Sequence, residues 1–440
     1  MLKIYNSKTN KIEQFIPNNY PKVLMYVCGP TVYDHIHIGN ARPIIFFDML
    51  KRYLTVIGYE VKYVTNITDI DDKIINRAQE ENVHEEVISS QYIEETLKLL
   101  PMLNIKEPDL MPKATEYIDD MIEYIDQLIE KGYAYELNGD VYFRVSKVKN
   151  YGEISNQDID KLIEGARIDV NQLKEDPKDF NLWKKTNVGI NYPSKWSEGR
   201  PGWHTECAVM NHLIFNEQLD IHGGGVDLKF PHHENENAQS IAHNDYGLSK
   251  YWVHSAFVNL TSTKMSKSLG NVITVKELAK NHNILAYRLL IIAHHYQQPI
   301  NYSDELMNQY EQDFDRIARA LKNAFIKLEL SKIVQDEDKL DKKSLVDFYQ
   351  EMNNNFNTPN VMTTIYDLVK KINKENDNHK LLEYYNSLMM IMKILGFDFV
   401  FSKLLKEEIE LFELWQKARF DKNYEKADQY RKVLQDKGLI

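Results

Sequence analysis

The stretch from Val23 to Phe47 does most to constrain the fold of this chain. Val23 to Val27 is a short continuous apolar run, the pattern of a strand buried on both faces. Gly29-Pro30 ends it, because proline has no N–H to give to a ladder. A helical pattern opens near Gly39 and sets Ile44, Phe47 and Leu50 on one face. Between strand and helix lies a loop holding one thiol, Cys28, and two histidines, His35 and His37. Open α/β sheets bind ligands at such a place, where helix amides point at an anion.

The next segments extend the pattern. Glu60 to Asn66 alternates like a strand, and Asp69-Ile70-Asp71-Asp72 supplies carboxylates at the start of a helix over Lys73 to Glu81. Strand, helix, strand, helix predicts a parallel sheet with right-handed crossovers. From about Pro108 the character changes. Ile118, Met121, Ile122, Ile125, Leu128 and Ile129 mark an amphipathic helix closed by Lys131-Gly132, and Asn138-Gly139 is a hairpin turn between alternating segments. This reads as an insertion into the sheet domain. Leu219 to His222 resumes the sheet and runs into Gly223-Gly224-Gly225. A helix follows from about His232 to His243, then a strand over Tyr251 to Val258, a polar loop over Thr261 to Asn271, and a helix ending near His295. Beyond Asp304 every long pattern is helical. The expected fold is α/β: a Rossmann-like parallel-sheet domain in two halves (1–107 and 196–303) with an α+β insertion (108–195). An all-α bundle (304–400) and a charged C-terminal helical segment (401–440) follow.

Composition closes off several classes. Two cysteines, Cys28 and Cys207, exclude a disulfide framework. The N-terminus has no apolar core for a signal peptide and no run is long enough to span a membrane, so a cytoplasmic location is expected. In that setting the Asn66-Ile67-Thr68 and Asn259-Leu260-Thr261 glycosylation patterns are chance matches. A net charge of −11 argues against indiscriminate nucleic-acid binding, though not against an RNA docked on a local basic face.

Three constellations carry chemistry. His37-Ile38-Gly39-Asn40 follows a strand and opens a helix; Gly39 lets backbone approach a ligand, and imidazole and amide can donate to phosphate oxygens. Lys264-Met265-Ser266-Lys267-Ser268 lies on the polar loop after a late strand, where two lysines can clamp charge building on a transferring phosphoryl group. The third set is metal-type: Cys28, Cys207, His232 and Glu236, the last two at i and i+4 and so on one helix face. Buried cysteines are also ordinary small hydrophobes, and the spacing alone leaves that alternative open.

The first two motifs, in this order, resemble the paired signatures of class I aminoacyl-tRNA synthetases. Longer segments narrow the likeness: Tyr26 to Asp34, Asn66 to Lys73, Gly202 to Cys207, Asp220 to Gly225 and Phe230 to Glu236 are similar to the cysteinyl-tRNA synthetases. The likeness is dense over residues 1 to about 305 and looser beyond. It implies zinc held by Cys28, Cys207, His232 and Glu236, with the substrate thiolate bound to the metal and His233 supporting or structural. Soft zinc prefers thiolate to hydroxyl, which rejects serine without an editing domain. It implies ATP contacts from His37, Gly39, Asn40, Gly224 and Asp227, with Lys264 and Lys267 stabilising charge at the α-phosphate and Mg2+ accompanying ATP. Gly29, Thr31, Thr68 and Trp203 are expected around the cysteine substrate. The partners implied are ATP, L-cysteine and tRNA(Cys), for a monomer.

The chain departs from that pattern in places. Asn40 stands where some members carry a second histidine, and its amide can still donate. Relatives tend to have acidic residues before Asn357-Thr358-Pro359, where this chain has Asn353-Asn354-Asn355. Family members usually continue into a short tail with a tryptophan, so 401–440 is expected to be a shortened anticodon-side segment. Two rivals share some of these features: a ligase joining cysteine to an amino sugar, as in mycothiol synthesis, and a zinc-stabilised RNA-binding protein without catalysis. The long helical region favours tRNA over an amino sugar, and the intact signatures favour catalysis.

Overall fold

The computed structural model describes residues 1–156, 174–260, 272–334 and 336–440, together with the backbone of Thr263–Lys264. The chain begins with an antiparallel hairpin of β1 (Lys3–Asn6) and β2 (Lys11–Gln14). The central unit follows: β3 (Lys22–Val27), α1 (Ile38–Val56) and β4 (Glu60–Thr65). Next come α2 (Asp72–Glu81) and α3 (Glu85–Met102). The insertion holds α4 (Ile118–Glu130), β5 (Ala134–Leu137), β6 (Asp140–Phe143), β7 (Phe180–Lys185) and β8 (Gly199–Pro201). The second half of the sheet domain holds α5 (Trp203–Phe215), β9 (Leu219–Gly225), α6 (Glu234–Asn244) and β10 (Ser249–Ser255). It continues with β11 (Val258–Leu260), β12 (Thr263–Lys264), α7 (Val275–Asn281), α8 (Ile284–Ala293) and β13 (Ile300–Tyr302). The helical end comprises α9 (Asp304–Ser331), α10 (Lys342–Asn353), α11 (Thr358–Lys374), α12 (Asn378–Ile394), α13 (Lys406–Phe420) and α14 (Tyr424–Asp436).

The parallel sheet has the order β10-β9-β3-β4. Val23, Met25 and Tyr26 are fully buried, as the unbroken apolar run requires of a strand covered on both faces. Val27 is level with Gly223 of β9 and Thr65 of β4, so Cys28, Gly224 and Asn66 emerge at the same carboxyl edge. Helix α1 lies on the sheet through Ile45, Phe47, Leu50 and Leu54. Its approach depends on Gly223, where a Cβ would stand 2.1 Å from Phe47 Cζ.

The insertion forms its own antiparallel sheet, β5-β6-β7-β8, which takes in Gly199–Pro201 just beyond the expected boundary at 195. Asn138 and Gly139 both have positive φ, as a two-residue hairpin turn demands. Three expectations change in detail. The strand expected over Tyr251–Val258 is two: β10 stays in the main sheet, while β11 leaves it to pair with β12 and β13. The reason lies at Ala256 and Phe257, whose carbonyls accept from Arg42 of α1. The helix expected to end near His295 is α7 and α8, broken at His282-Asn283, and the C-terminal helix is the hairpin α13–α14. Helix α3 escaped the sequence reading because its buried positions include Ser89 and Thr96 beside Ile88, Tyr92 and Leu99, which blurs the apolar stripe.

The helical end shares one core with α1: Tyr53 meets Phe348 and Phe356 edge-on. At the seam, Asn355 has φ 55° and uses every polar group. Its Oδ1 accepts from the Tyr5 amide at 2.8 Å and the Tyr296 hydroxyl at 2.7 Å, and its Nδ2 donates to Gln297 Oε1 at 2.7 Å. An acceptor and a donor on one short side chain is what this joint needs, and asparagine also tolerates the left-handed region.

Candidate active site

The site lies at the carboxyl edge of the sheet. Two loops there are laced together: the Gly29 amide donates to Asn66 Oδ1 at 2.9 Å, Asn66 Nδ2 donates to Thr68 Oγ1 at 3.1 Å, and Val32 N donates to Thr68 O at 3.2 Å. Thr31 and Thr68 are bridge partners, so three of the expected cysteine-pocket residues, Gly29, Thr31 and Thr68, meet in one lacing. Gly29 has no alternative, since a Cβ would sit 1.8 Å from Asn66 O. Asn66, which matched a glycosylation pattern by chance, is buried and organises the edge.

Beside this lacing the metal-type residues converge. Ligand atoms of Cys28, Cys207, His232 and Glu236 all lie within 4.8 Å of one another. Cys28 Sγ is 3.8 Å from Cys207 Sγ and 3.4 Å from Glu236 Oε1, and His232 Nε2 is 2.9 Å from Glu236 Oε1. The α-helix begins at Glu234, two residues later than expected, but the preceding turn still aligns His232 with Glu236. A second quartet, Cys28, His222, His233 and Glu236, meets the same criterion. His222 was not singled out in the sequence; its place in the middle of the Leu219–Gly225 strand, level with Tyr26 and just before the glycine run, was the available signal.

The electrostatics are those of a site built for charge. Burial opposes ionisation of Glu236, but His232 and His222 hold its carboxyl well below the usual carboxylate range. Burial likewise disfavours charge on His232, and the Glu236 carboxylate overrides it, raising the imidazole to about 10. Burial pushes the Cys28 thiol up. It acts the same way on Cys207, yet hydrogen bonding with Cys28 and His232 holds that thiol at about 6. His232 Nδ1 is 2.8 Å from His204 Nδ1, and burial drives His204 down to about 3, so His204 stays neutral. His222 Nδ1 and His233 Nε2 are buried without a hydrogen-bond partner, whereas His232 Nε2 and Glu236 Oε2 are engaged only in the ion pairs His232–Glu236 (2.9 Å) and His222–Glu236 (3.1 Å). Trp203 stacks on His232 with ring centroids 4.1 Å apart.

Further along the edge, His37 caps α1, its Nδ1 accepting from the Asn40 amide at 3.2 Å. A backbone bridge joins His37 to Thr274. Gly224, one residue before the end of β9, is level with His254, and Asp227 follows in a short turn. Lys264 is described only as backbone paired with Asn259, and Lys267 lies outside the described residues.

Comparison with known proteins agrees with this geometry. Residues 14–312 match the family model of the class I (C) tRNA synthetase catalytic domain, and residues 347–400 match the DALR domain. The fold is that of class I synthetases. Mycobacterium tuberculosis methionyl-tRNA synthetase with methionyl-adenylate superposes with TM-score 0.60 at 12% identity, over 85% of this chain and 89% of that one. An Agrobacterium radiobacter LeuRS ternary complex with tRNA and LeuAMS gives 0.62 at 10% identity, over 87% and 85%. Curated relatives named cysteine–tRNA ligase are closer in sequence. That of Acholeplasma laidlawii is 49% identical and that of Onion yellows phytoplasma 45%, each over 100% of both chains. The Anoxybacillus flavithermus enzyme is 42% identical over 100% of this chain and 97% of its own. This chain belongs to the cysteine–tRNA ligase family. It is a ligase that activates cysteine with ATP and transfers it to tRNA.

Proposed function

We propose that cysteine is selected here by zinc held between Cys28, Cys207, His232 and Glu236. The reading is carried by the convergence of these four donors, their ligand atoms within 4.8 Å of one another, in a buried site where the side chains meet one another. Two thiolates, an imidazole and a carboxylate suit zinc in chemistry and number. Zinc bound there would accept the substrate thiolate and discriminate it from serine's hydroxyl. With zinc in place, His204, 2.8 Å from His232 Nδ1, would accept from that nitrogen and leave Nε2 for the metal, while His222, 3.1 Å from Glu236 Oε2, would steady the carboxylate.

On this reading Gly29, Thr31, Thr68 and Trp203 line the amino-acid pocket. His37, Gly39, Asn40, Gly224 and Asp227 hold ATP, which brings Mg2+. The cysteine carboxylate attacks the α-phosphorus in line and pyrophosphate leaves, with Lys264 and Lys267 stabilising the developing charge. The terminal ribose of tRNA(Cys) then takes the cysteinyl group from the adenylate. No side-chain nucleophile is needed; the residues position reactants and balance charge. The domain boundaries given above, a monomeric state and a cytoplasmic location belong to the same reading. Among the described residues no helix is long and apolar enough to cross a membrane.

The test is Cys207→Ser, assayed for bound zinc and for cysteine- against serine-dependent ATP–pyrophosphate exchange. Zinc and selectivity should be lost together, the preference for cysteine collapsing toward the ~100-fold an apolar pocket delivers. A full equivalent of zinc in the variant would overturn this ligand set in favour of Cys28, His222, His233 and Glu236.

A further inference from the structure

We propose that Arg42 is a positioning residue for adenylate formation. Its guanidinium sets the backbone leading to the second signature against the helix that carries the first. The proposal rests on the reading that His37, Asn40, Lys264 and Lys267 act on the phosphates of one ATP.

Arg42 lies on α1, five positions past His37, and is 1% exposed. Nη1 donates to Ala256 O at 3.0 Å and Phe257 O at 2.7 Å. Nη2 donates to His295 O at 3.0 Å and Gln298 O at 2.6 Å. Ala256-Phe257 lead straight into β11, whose partner β12 ends at Lys264. His295 to Gln298 lead into β13, the other neighbour of β11. One planar, charged fork therefore grips both strands at their roots, a geometry that lysine cannot reproduce. Burial draws Arg42 down to about 10, which leaves it charged at neutral pH.

The segment Ile273–Val275, beyond the second signature, is fixed differently. Ile38 N donates to Ile273 O and Val275 N donates to Ile36 O, each at 2.9 Å, around the His37–Thr274 bridge. That attachment is backbone to backbone and tolerates any side chain. On the incoming side, Ala256 N to Tyr296 O and Ile300 N to Phe257 O join the two strand roots to each other, not to α1. Among the described residues, their polar link to the helix is one guanidinium. Charge stabilisation at a transferring phosphoryl group depends on placement to within a fraction of an ångström, so this link fixes a catalytic distance and not only a fold.

A second buried arginine separates the two roles. Arg288 is fully buried on α8, donates to Leu103 O and Leu395 O, and pairs with Asp48 of α1. It ties α1 to the helical end and touches neither strand root.

The experiment measures cysteine-dependent ATP–pyrophosphate exchange on the zinc-loaded full chain, at a temperature where each variant is folded by circular dichroism. Lys267→Ala should lower exchange kcat by about 1,000-fold. Arg42→Met should lower it by about 100-fold with cysteine KM and zinc content unchanged, and Arg42→Lys should fall between that variant and the parent. Arg288→Met should melt at lower temperature yet keep kcat within about threefold of the parent. Parental kcat in the Arg42 variants overturns the proposal, and so does an equal loss in Arg288→Met. If Arg42→Met does not fold, Arg42→Lys decides alone, and parental kcat there overturns it. An unaffected Lys267→Ala would instead sink the ATP reading, whatever the Arg42 variants do.

Discussion

Two helices of similar role in packing, α6 and α11, are built from opposite materials. Helix α11 buries Val361, Met362, Ile365, Leu368, Val369 and Ile372, the apolar stripe of a bundle helix with polar residues facing out. Helix α6 reads Glu-Asn-Glu-Asn-Ala-Gln-Ser-Ile-Ala-His-Asn, and yet Glu234, Asn235, Glu236, Asn237, Gln239 and Ser240 are all buried. Burying a polar helix is tolerable only when partners replace water. Glu234 accepts from the amides of Gly152, Ile154 and Ser155 at 3.0, 2.7 and 2.6 Å. Asn237 Oδ1 accepts from Leu248 N at 3.0 Å, and Ser240 Oγ donates to Tyr246 O at 3.0 Å. Glu236 has no backbone amide of this kind and is paired with His222 and His232 in the donor cluster. The stability of α11 comes from what it removes from water; that of α6 comes from what it anchors, and Glu236, turned to the donor cluster, is the functional part.

The comparison is broken most forcefully at Glu234. Glu234→Ala leaves three amides without their acceptor and should cost about 4 kcal/mol in denaturant unfolding, together with weakened zinc retention because Glu236 rides on the same helix. A variant of near-parental stability and full zinc content would mean that α6 is not held by its polar partners. Leu368→Ala on α11 removes a fully buried side chain and should cost about 3 kcal/mol, with zinc content and exchange kcat unaltered. Similar stability losses with opposite effects on the metal would establish the contrast; parallel effects would erase it.

The same contrast explains what could be read in the chain. Bundle helices and the Val23–Val27 strand announce themselves by periodicity, and the hairpin at Asn138-Gly139 by its turn residues. The donors Cys28, Cys207, His232 and Glu236 were nameable because their segments resemble a known family; composition and spacing left them open. His222 and His204 were not singled out, since no pattern in one sequence says that a mid-strand histidine and a helix-start histidine will face one carboxylate and one imidazole. The break between β10 and β11 was hidden for a related reason. It is made by Arg42, more than 200 positions away, taking carbonyls that a continuous strand would have used. The N-terminal hairpin is short and half polar, and its value lies in reaching both Asn355 and His254: Ser7 Oγ is 2.8 Å from His254 Nδ1.

The smallest effect sharpens the contrast at the seam between the two regions. Burial keeps His295 below its ordinary pKa, and the hydrogen bond it gives to Asn355 O only partly offsets that. The folded state therefore holds this imidazole neutral at a pH where the unfolded chain has already taken a proton. Unfolding then gains a proton, so stability is fully present above about pH 6.5 and falls as pH drops below it, until the folded imidazole itself titrates. Asp341 acts in a separate, more acidic window: burial opposes its ionisation, but Lys371 and Ser344 hold it lower, so its contribution persists until pH falls below the usual carboxylate range of about 3.9. Urea midpoints between pH 7.5 and 5.5 isolate the histidine part. His295→Gln keeps a donor for Asn355 O and removes the titration, so its midpoint should depend less on pH than the parent's, with exchange kcat unchanged at neutral pH. Equal slopes in parent and variant would show that the acid sensitivity lies outside the seam, among the buried histidines around Glu236.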